Sequence, residues 1–387
     1  MVNEKDNNKL VICHLAYYTP TFYGNFMASL FDLELRLKEI NNDNKVMYGF
    51  YRNSQNCEWA NEMSRNNKNI FFISSAGIRG WIKLSKIIKY NNVNILHLHF
   101  KFPVIILFLL KLSVPKLRII AHFHNLLSGI PEMGFKQNIK LKLKKILFNK
   151  LIDTFCGCSE AVFIDLINCG INKNKCCYID NGIVFSRLDI DYKNNKEIYN
   201  IKNKKIIMIM GTYFYGKGVD VAINAIKDIT QKYNIVLMIV CQNKDFVIEQ
   251  IKKILIYIPE WIIIVPSQEN IAFYFRMSDI YLTPSREEGF SYAMLESIYC
   301  GTPTIRSDLP GMDRKMPNDL VVPVNDIPAL RQKIEYVLNL SENVQQAILT
   351  EQKKYIVERW NIDIWSNKII NLYLNIAKTN SVYNMAK

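Results

Sequence analysis

No stretch of this chain is apolar for long enough to cross a bilayer. The longest such run, Phe102–Leu110, is closed by Lys111 and is far shorter than the roughly 20 residues a spanning helix needs; a buried helix is expected there. The first residues, Met1–Lys9, are charged and lack the apolar core of a signal peptide. The nine cysteines include a C-x-C at Cys156 and Cys158 and the adjacent pair Cys176 and Cys177, without a second pair at metal spacing. Odd in number and without a secretion signal, they fit a reducing cytosol. The loop after the first apolar run is not G-x-G-x-x-G, which argues against a dinucleotide cofactor. Solenoid repeats are absent, as are recognised nucleic-acid-binding motifs. Acidic residues are outnumbered, 35 against 49 basic, giving a net charge of +14. The lysines are dispersed, so nucleic acid is not an expected partner.

What is present is globular: 49% hydrophobic and 22% charged over 387 residues, enough for two domains with a core each. Short apolar runs alternate with amphipathic stretches. Strands are expected at Lys9–Leu15, Lys45–Phe50, Ile70–Ile73, Val93–Leu98, Leu117–Phe123 and again from Lys204–Met210 onward. This β-α alternation predicts parallel sheets covered on both faces. The polar, aperiodic segment from Asp189 to Glu197 reads as a linker. The expected organisation is an N-terminal domain over 1–188, a second domain over 198–359, and a C-terminal helix over 360–387 that returns to the first domain.

The most informative stretch runs from Asp279 to Asp308. An apolar strand, Asp279–Thr283, leads into a loop bracketed by Pro284 and Gly289, then a helix with Ser291 as expected N-cap and Gly301 and Pro303 as its stop. Strand, loop and helix N-terminus together favour an anion. Glu288 and Glu296 flank it; ionised carboxylates only accept hydrogen bonds and so suit hydroxyls. Phosphate at the centre with hydroxyls at both ends is the shape of a sugar nucleotide. A second glycine loop, Gly211–Gly218, follows the strand Lys204–Met210 and presents Gly216 and Lys217. It is nearly a Walker A, but Gly218 stands where Ser or Thr must hold Mg²⁺.

The stretch Pro284–Glu296 resembles the E-x7-E signature of the family-four retaining glycosyltransferases, a GT-B fold of two doubly wound, Rossmann-like α/β domains facing across a cleft. The match is Glu288-Gly289-Phe290 with Glu296, followed by Gly301–Thr304. The resemblance implies that Glu296 holds the donor ribose, that Glu288 contacts the donor sugar, and that the amides of Gly289, Phe290 and Ser291 meet the diphosphate. Lys217 with Gly216 matches the family's Lys-Gly segment, which neutralises the diphosphate; the accompanying Arg is absent, since Thr212, Tyr213 and Phe214 follow Gly211. Gly24 matches in part the glycine loop after the first strand. A histidine at a strand end near the transferred sugar corresponds to His122 or His124, which spacing alone does not separate.

His97 and His99 are expected as packed polar residues. The two H-x-H pairs could suggest a metal, but no acid ligand is fixed beside them, and none is expected. Asp189-Ile190-Asp191 is a D-x-D in a hydrophilic connector and reads as surface.

The expected activity is metal-independent, retaining transfer of a hexosyl group from a nucleotide sugar, with UDP-sugars favoured and no cofactor. The expected acceptor is a glycan or a lipid-linked glycan, in cell-surface polysaccharide synthesis. The Lys-rich segment 135–151 could rest on an anionic membrane, giving a cytoplasmic protein with a peripheral place at the inner membrane face. The alternative is a weakly catalytic GT-B scaffold serving as a basic membrane- or partner-binding protein.

Overall fold

A computed structural model describes residues 9–74, 77–100, 104–128, 146–189, 201, 203–309, 313 and 315–382. The chain forms two compact units, one from 1–182 with 362–387, the other from 183–361. Each is built on one parallel sheet.

The first unit carries seven strands: β1 (Val11–Ala16), β2 (Lys45–Tyr51), β3 (Ile70–Ile73), β4 (Ile95–His99), β5 (Arg118–Phe123), β6 (Thr154–Gly157) and β7 (Cys176–Tyr178). Their order is β3-β2-β1-β4-β5-β6-β7, so the winding reverses between β1 and β4. The second unit has β8 (Lys205–Met210), β9 (Ile235–Cys241), β10 (Ile262–Pro266), β11 (Ile280–Thr283), β12 (Thr304–Ser307) and β13 (Leu320–Val322). Their order is β10-β9-β8-β11-β12-β13, with the reversal between β8 and β11. In open α/β sheets ligands bind beyond the carboxyl ends of strands at such reversals. The doubly wound fold expected from the alternation is the fold observed.

Alternation explains the second core. Ile207 and Ile209 of β8 join Leu237 and Ile239 of β9 in one buried cluster. Ile206 and Met208 join Val236, Met238 and Val240 in another. Side chains of a strand point to opposite faces in turn, so a continuous apolar run feeds two cores at once. Each Ile or Leu so buried is worth about 1.5–3 kcal/mol against exposure.

The boundary between units differs from the expected one. Ile183, Phe185 and Leu188, assigned by pattern to the first domain, pack in the second unit's core, and Ile183 pairs with Asn361 in a parallel bridge. Their apolar side chains, rather than the polar run after them, set the division. Most of that run, 190–197, lies outside the described residues, Asp191 included; Asp189 accepts hydrogen bonds from the Tyr299 hydroxyl at 3.0 Å. The expected last helix is observed as Ile362–Val382, set off from the helix before it, Glu342–Trp360, by Asn361 in extended backbone. Residues 135–145 of the Lys-rich segment also lie outside the described residues. Among those described, no helix is long and apolar enough to cross a membrane.

Candidate active site

In the second unit, the loops that follow β8 and β11 flank the reversal. They are clipped together by backbone and by charge. The Arg286 amide donates to the Gly216 carbonyl at 2.9 Å. The Arg286 guanidinium grips Asp220 with two bonds, 2.8 and 2.7 Å, and also reaches the Tyr215 carbonyl. A planar fork on a carboxylate fixes geometry as well as charge. Gly218 is required by the same contact: its φ is +69°, and a Cβ there would collide with the carbonyl oxygen of Pro284. Gly216 lies under the ring of Tyr213, where a Cβ would overlap the ring atoms.

Lys217 and Glu288 meet at this clip. Lys217 Nζ donates to Glu288 Oε1 at 2.6 Å, the carboxylate side chain being 7% exposed and the lysine 32%. The Ser285 hydroxyl donates to the same oxygen at 2.9 Å. Two residues 71 positions apart in sequence are thus brought into direct contact, and the ammonium stays open to solvent on one side. Such a cation can leave its carboxylate partner for a phosphate without first being dug out of the core.

Glu296 is buried in the helix Tyr292–Tyr299 and is paired with Arg187. The sequence reading missed Arg187. It lies 109 positions from Glu296, on the short 3-10 turn Phe185–Leu188, and no local spacing could have linked them. The only signal was Glu296 itself, since a buried carboxylate needs a cation.

Ser291 corrects an expectation. It occupies the N-cap position, but its hydroxyl makes no capping bond. By contrast, Ser159 does cap its helix, accepting from the Val162 amide. Phe290 packs edge-on against Tyr292 and Trp360, which anchors the loop at the helix entrance.

The remaining candidates lie in the first unit. Gly24 opens the helix Gly24–Ile40 at φ +57°, with Tyr18 Oη 3.1 Å from where a Cβ would stand. That hydroxyl donates to the Tyr23 carbonyl at 2.6 Å, so the turn is held from beneath.

All five histidines of the chain gather on one face of the first sheet. Register makes this inevitable: His14 stands beside His97, His99 beside His122, and each H-x-H keeps its pair on one side. The rings form two hydrogen-bonded rows. In one, Tyr373 Oη is 2.6 Å from His97 Nδ1, and His97 Nε2 is 3.3 Å from His122 Nδ1. In the other, His14 Nδ1 is 3.0 Å from His99 Nε2, and His99 Nδ1 is 3.1 Å from His124 Nε2. Tyr373 comes from the helix Ile362–Val382. His14, His97, His99 and His122 are buried; His124 is partly exposed.

Burial holds every ring neutral, pushing His14 and His122 down to about 3 and the other three well below the usual imidazole value. Among the described residues, Nε2 of His14 and Nε2 of His122 have no hydrogen-bond partner, an arrangement that costs about 1–3 kcal/mol per atom. Phe100, at φ +62°, holds its ring 4.5 Å from that of His124. A bulky residue in that backbone region stores about 1–3 kcal/mol, and such residues cluster at functional sites.

Two family models match: "Glycosyltransferase Family 4" over residues 53–187 and "Glycosyl transferases group 1" over residues 191–356. The first covers β3 to β7 and the second β8 to β13.

The chain belongs to the family-four glycosyltransferases.

Curated relatives of this glycosyltransferase include a Klebsiella pneumoniae "Uncharacterized 41.2 kDa protein in cps region", 27% identical over 65% of this chain and 70% of its own. The N,N'-diacetylbacillosaminyl-diphospho-undecaprenol alpha-1,3-N-acetylgalactosaminyltransferase of Campylobacter jejuni is 23% identical over 61% of this chain and 68% of its own. Among solved structures, a glycosyltransferase from Rickettsia africae superposes with a TM-score of 0.77 at 17% identity, over 96% of this chain and 99% of that one. Anabaena HepE in complex with UDP-glucose superposes at 0.74 and 13% identity, over 96% and 100%. The fold of this glycosyltransferase is GT-B in type, two Rossmann-like units each on a parallel sheet.

Proposed function

We propose that this glycosyltransferase moves a hexosyl group from a UDP-sugar to a glycan or lipid-linked acceptor, with retention of configuration, in the building of a cell-surface polysaccharide. The observation that carries the reading is the Lys217–Glu288 pair, set at the reversal of the second sheet with Glu296 in the adjoining helix. As the bond to the sugar breaks, charge grows on the leaving diphosphate, and preorganised donors there are the main source of rate. Lys217 exchanges Glu288 for the diphosphate, while the amides of Gly289, Phe290 and Ser291 bind its oxygens. Glu288 is then released to accept a bond from a sugar hydroxyl, and Glu296 to accept one from the ribose. Arg187, freed from Glu296 in that exchange, supplies a second cation in place of the family arginine missing from 212–214. No metal is needed at the diphosphate for this chemistry.

His124 rather than His122 is the histidine assigned to the transferred sugar. His122 is wholly buried, and His124, partly exposed, engages His99 through Nε2 and so turns Nδ1 to a substrate. Gly24 allows the donor to approach the turn after β1. No side chain stands out as a covalent nucleophile, so front-face displacement assisted by the leaving phosphate is the proposed route.

A UDP donor is supported by the Anabaena structure with UDP-glucose. The acceptor class is supported by the undecaprenol-linked substrate in the name of the Campylobacter relative and by the cps origin of the Klebsiella one. Placement at the inner face of the membrane follows from such an acceptor. The test is a panel of UDP-, GDP- and ADP-sugars read by thermal shift and by nucleotide release. A rise in melting temperature with one UDP-sugar, and release of UDP on adding a lipid-linked glycan, is the expected result. Neither binding nor release with any donor would leave a scaffold, and the catalytic reading would fall.

A further inference from the structure

The five-histidine cluster is more than the contact of one residue with a sugar requires. One ring nitrogen from each of His99, His122 and His124 lies within 4.8 Å of the others. The nitrogen pair His99 Nδ1 and His124 Nε2 is 3.1 Å apart. Two imidazoles on one tetrahedral ion at zinc distances sit roughly 3.3–3.4 Å apart, so the pair needs to open by only a few tenths of an ångström. We infer that His99, His122 and His124 bind a divalent transition ion of the zinc class, with His14 and His97 as the groups that orient them.

The hydrogen-bond rows fit this assignment atom by atom. A ligating histidine donates its other N–H to a neighbour, which fixes its tautomer. His122 donates Nδ1–H to His97 Nε2, which leaves its partnerless Nε2 for the ion. His97 donates Nδ1–H in turn to Tyr373 Oη. His99 donates Nε2–H to His14 Nδ1, which leaves its Nδ1 for the ion. His124 binds through Nε2 and keeps Nδ1–H outward, free for the contact with substrate. A second candidate group, His14, His97 and His99, is buried throughout; the group with His124 is the one with a path for an ion to enter.

The donor set selects the metal. Imidazoles without carboxylate suit zinc, copper, iron and nickel over magnesium or calcium. Metal binding uses the lone pair of an unprotonated imidazole. Phe26 and Phe100 pack against His124 and limit solvent access to the site. Three histidines leave a fourth position for water.

The experiment uses the whole chain, stripped with a chelator and titrated with zinc chloride by calorimetry, and with cobalt(II) chloride by visible absorption, in the absence of any nucleotide sugar. One ion per chain is expected, with the intense visible bands of tetrahedral cobalt. His99→Ala and His122→Gln should each lose the ion, and His97→Gln should weaken it by about 10- to 100-fold. To separate ion binding from folding, the wild-type protein is also melted with and without zinc. A rise of about 5–10 °C at a hundredfold excess over Kd, reversed by chelator, is expected. No saturable binding by the wild type, or binding undiminished in folded His99→Ala and His122→Gln, overturns the assignment. Since no donor is present, failure here leaves the transferase reading untouched, and the reverse also holds.

Discussion

The two units share one architecture and treat their polar groups in opposite ways. At the reversal of the second sheet the polar groups are charged, paired across loops and partly open to water: Lys217 with Glu288, Arg286 with Asp220. At the reversal of the first sheet they are neutral imidazoles stacked within the fold. A charge that must be exchanged for a phosphate has to stay near solvent, because burying it outright would cost several kcal/mol. A group that positions a sugar or holds an ion works best neutral and fixed. On the proposed function, the same strand-end geometry serves two chemistries, and what differs is the residue class placed on it.

The largest difference should appear in acid. The histidines titrate normally near 6.5 when unfolded and far lower when folded. The unfolded state then binds more protons, so their contribution is complete above pH 6.5 and is lost as the pH falls toward about 3. Each buried ring contributes about 1 kcal/mol of loss per pH unit in that window. The second unit has no histidine. Hydrogen exchange followed region by region from pH 7 to pH 5 should show the first unit opening and the second holding; equal opening would erase the contrast.

Next in size is the loss of transfer in Lys217→Ala, about 10²–10³-fold in kcat, the range for removing one preorganised donor to a developing anion. His124→Ala should cost about tenfold, the worth of one hydrogen bond. Steady-state kinetics on both would sharpen the division of labour, and a reversed order would break it. Arg187→Ala leaves Glu296 buried without its cation. It should destabilise the second unit by about 2 kcal/mol, the buried-pair value discounted for the partial exposure of the arginine, as read by urea unfolding. Smallest is Asp220→Asn, which loosens the clip between the two loops by about 1 kcal/mol or less; the same unfolding curve checks it.

Both sheets were legible in sequence because parallel strands buried on both faces write continuous apolar runs, as in Lys205–Met210 and Ile235–Cys241. The loops after β8 and β11 were legible because glycine and proline punctuate them. The position of the unit boundary was not, since Ile183 and Phe185 are apolar residues in a short turn without periodicity. Arg187 was invisible for a different reason: its partner is remote in sequence, and only the folded chain joins them. The histidine cluster was half legible. Alternation gave the pairs within β4 and β5, but the neighbourhood of His14 depends on β1 lying beside β4, which strand order alone decides. At Ser291 the residue type marked the cap position but not whether the hydroxyl bonds an amide there.

The central claim is that the loops after β8 and β11 hold one nucleotide diphosphate. Calorimetric titration of UDP into the wild type, Lys217→Ala and Glu296→Ala tests it most directly. The account predicts one-to-one binding to the wild type and at least tenfold weaker binding to each variant, with melting curves confirming that both remain folded. Equal affinity for UDP in all three proteins would contradict it.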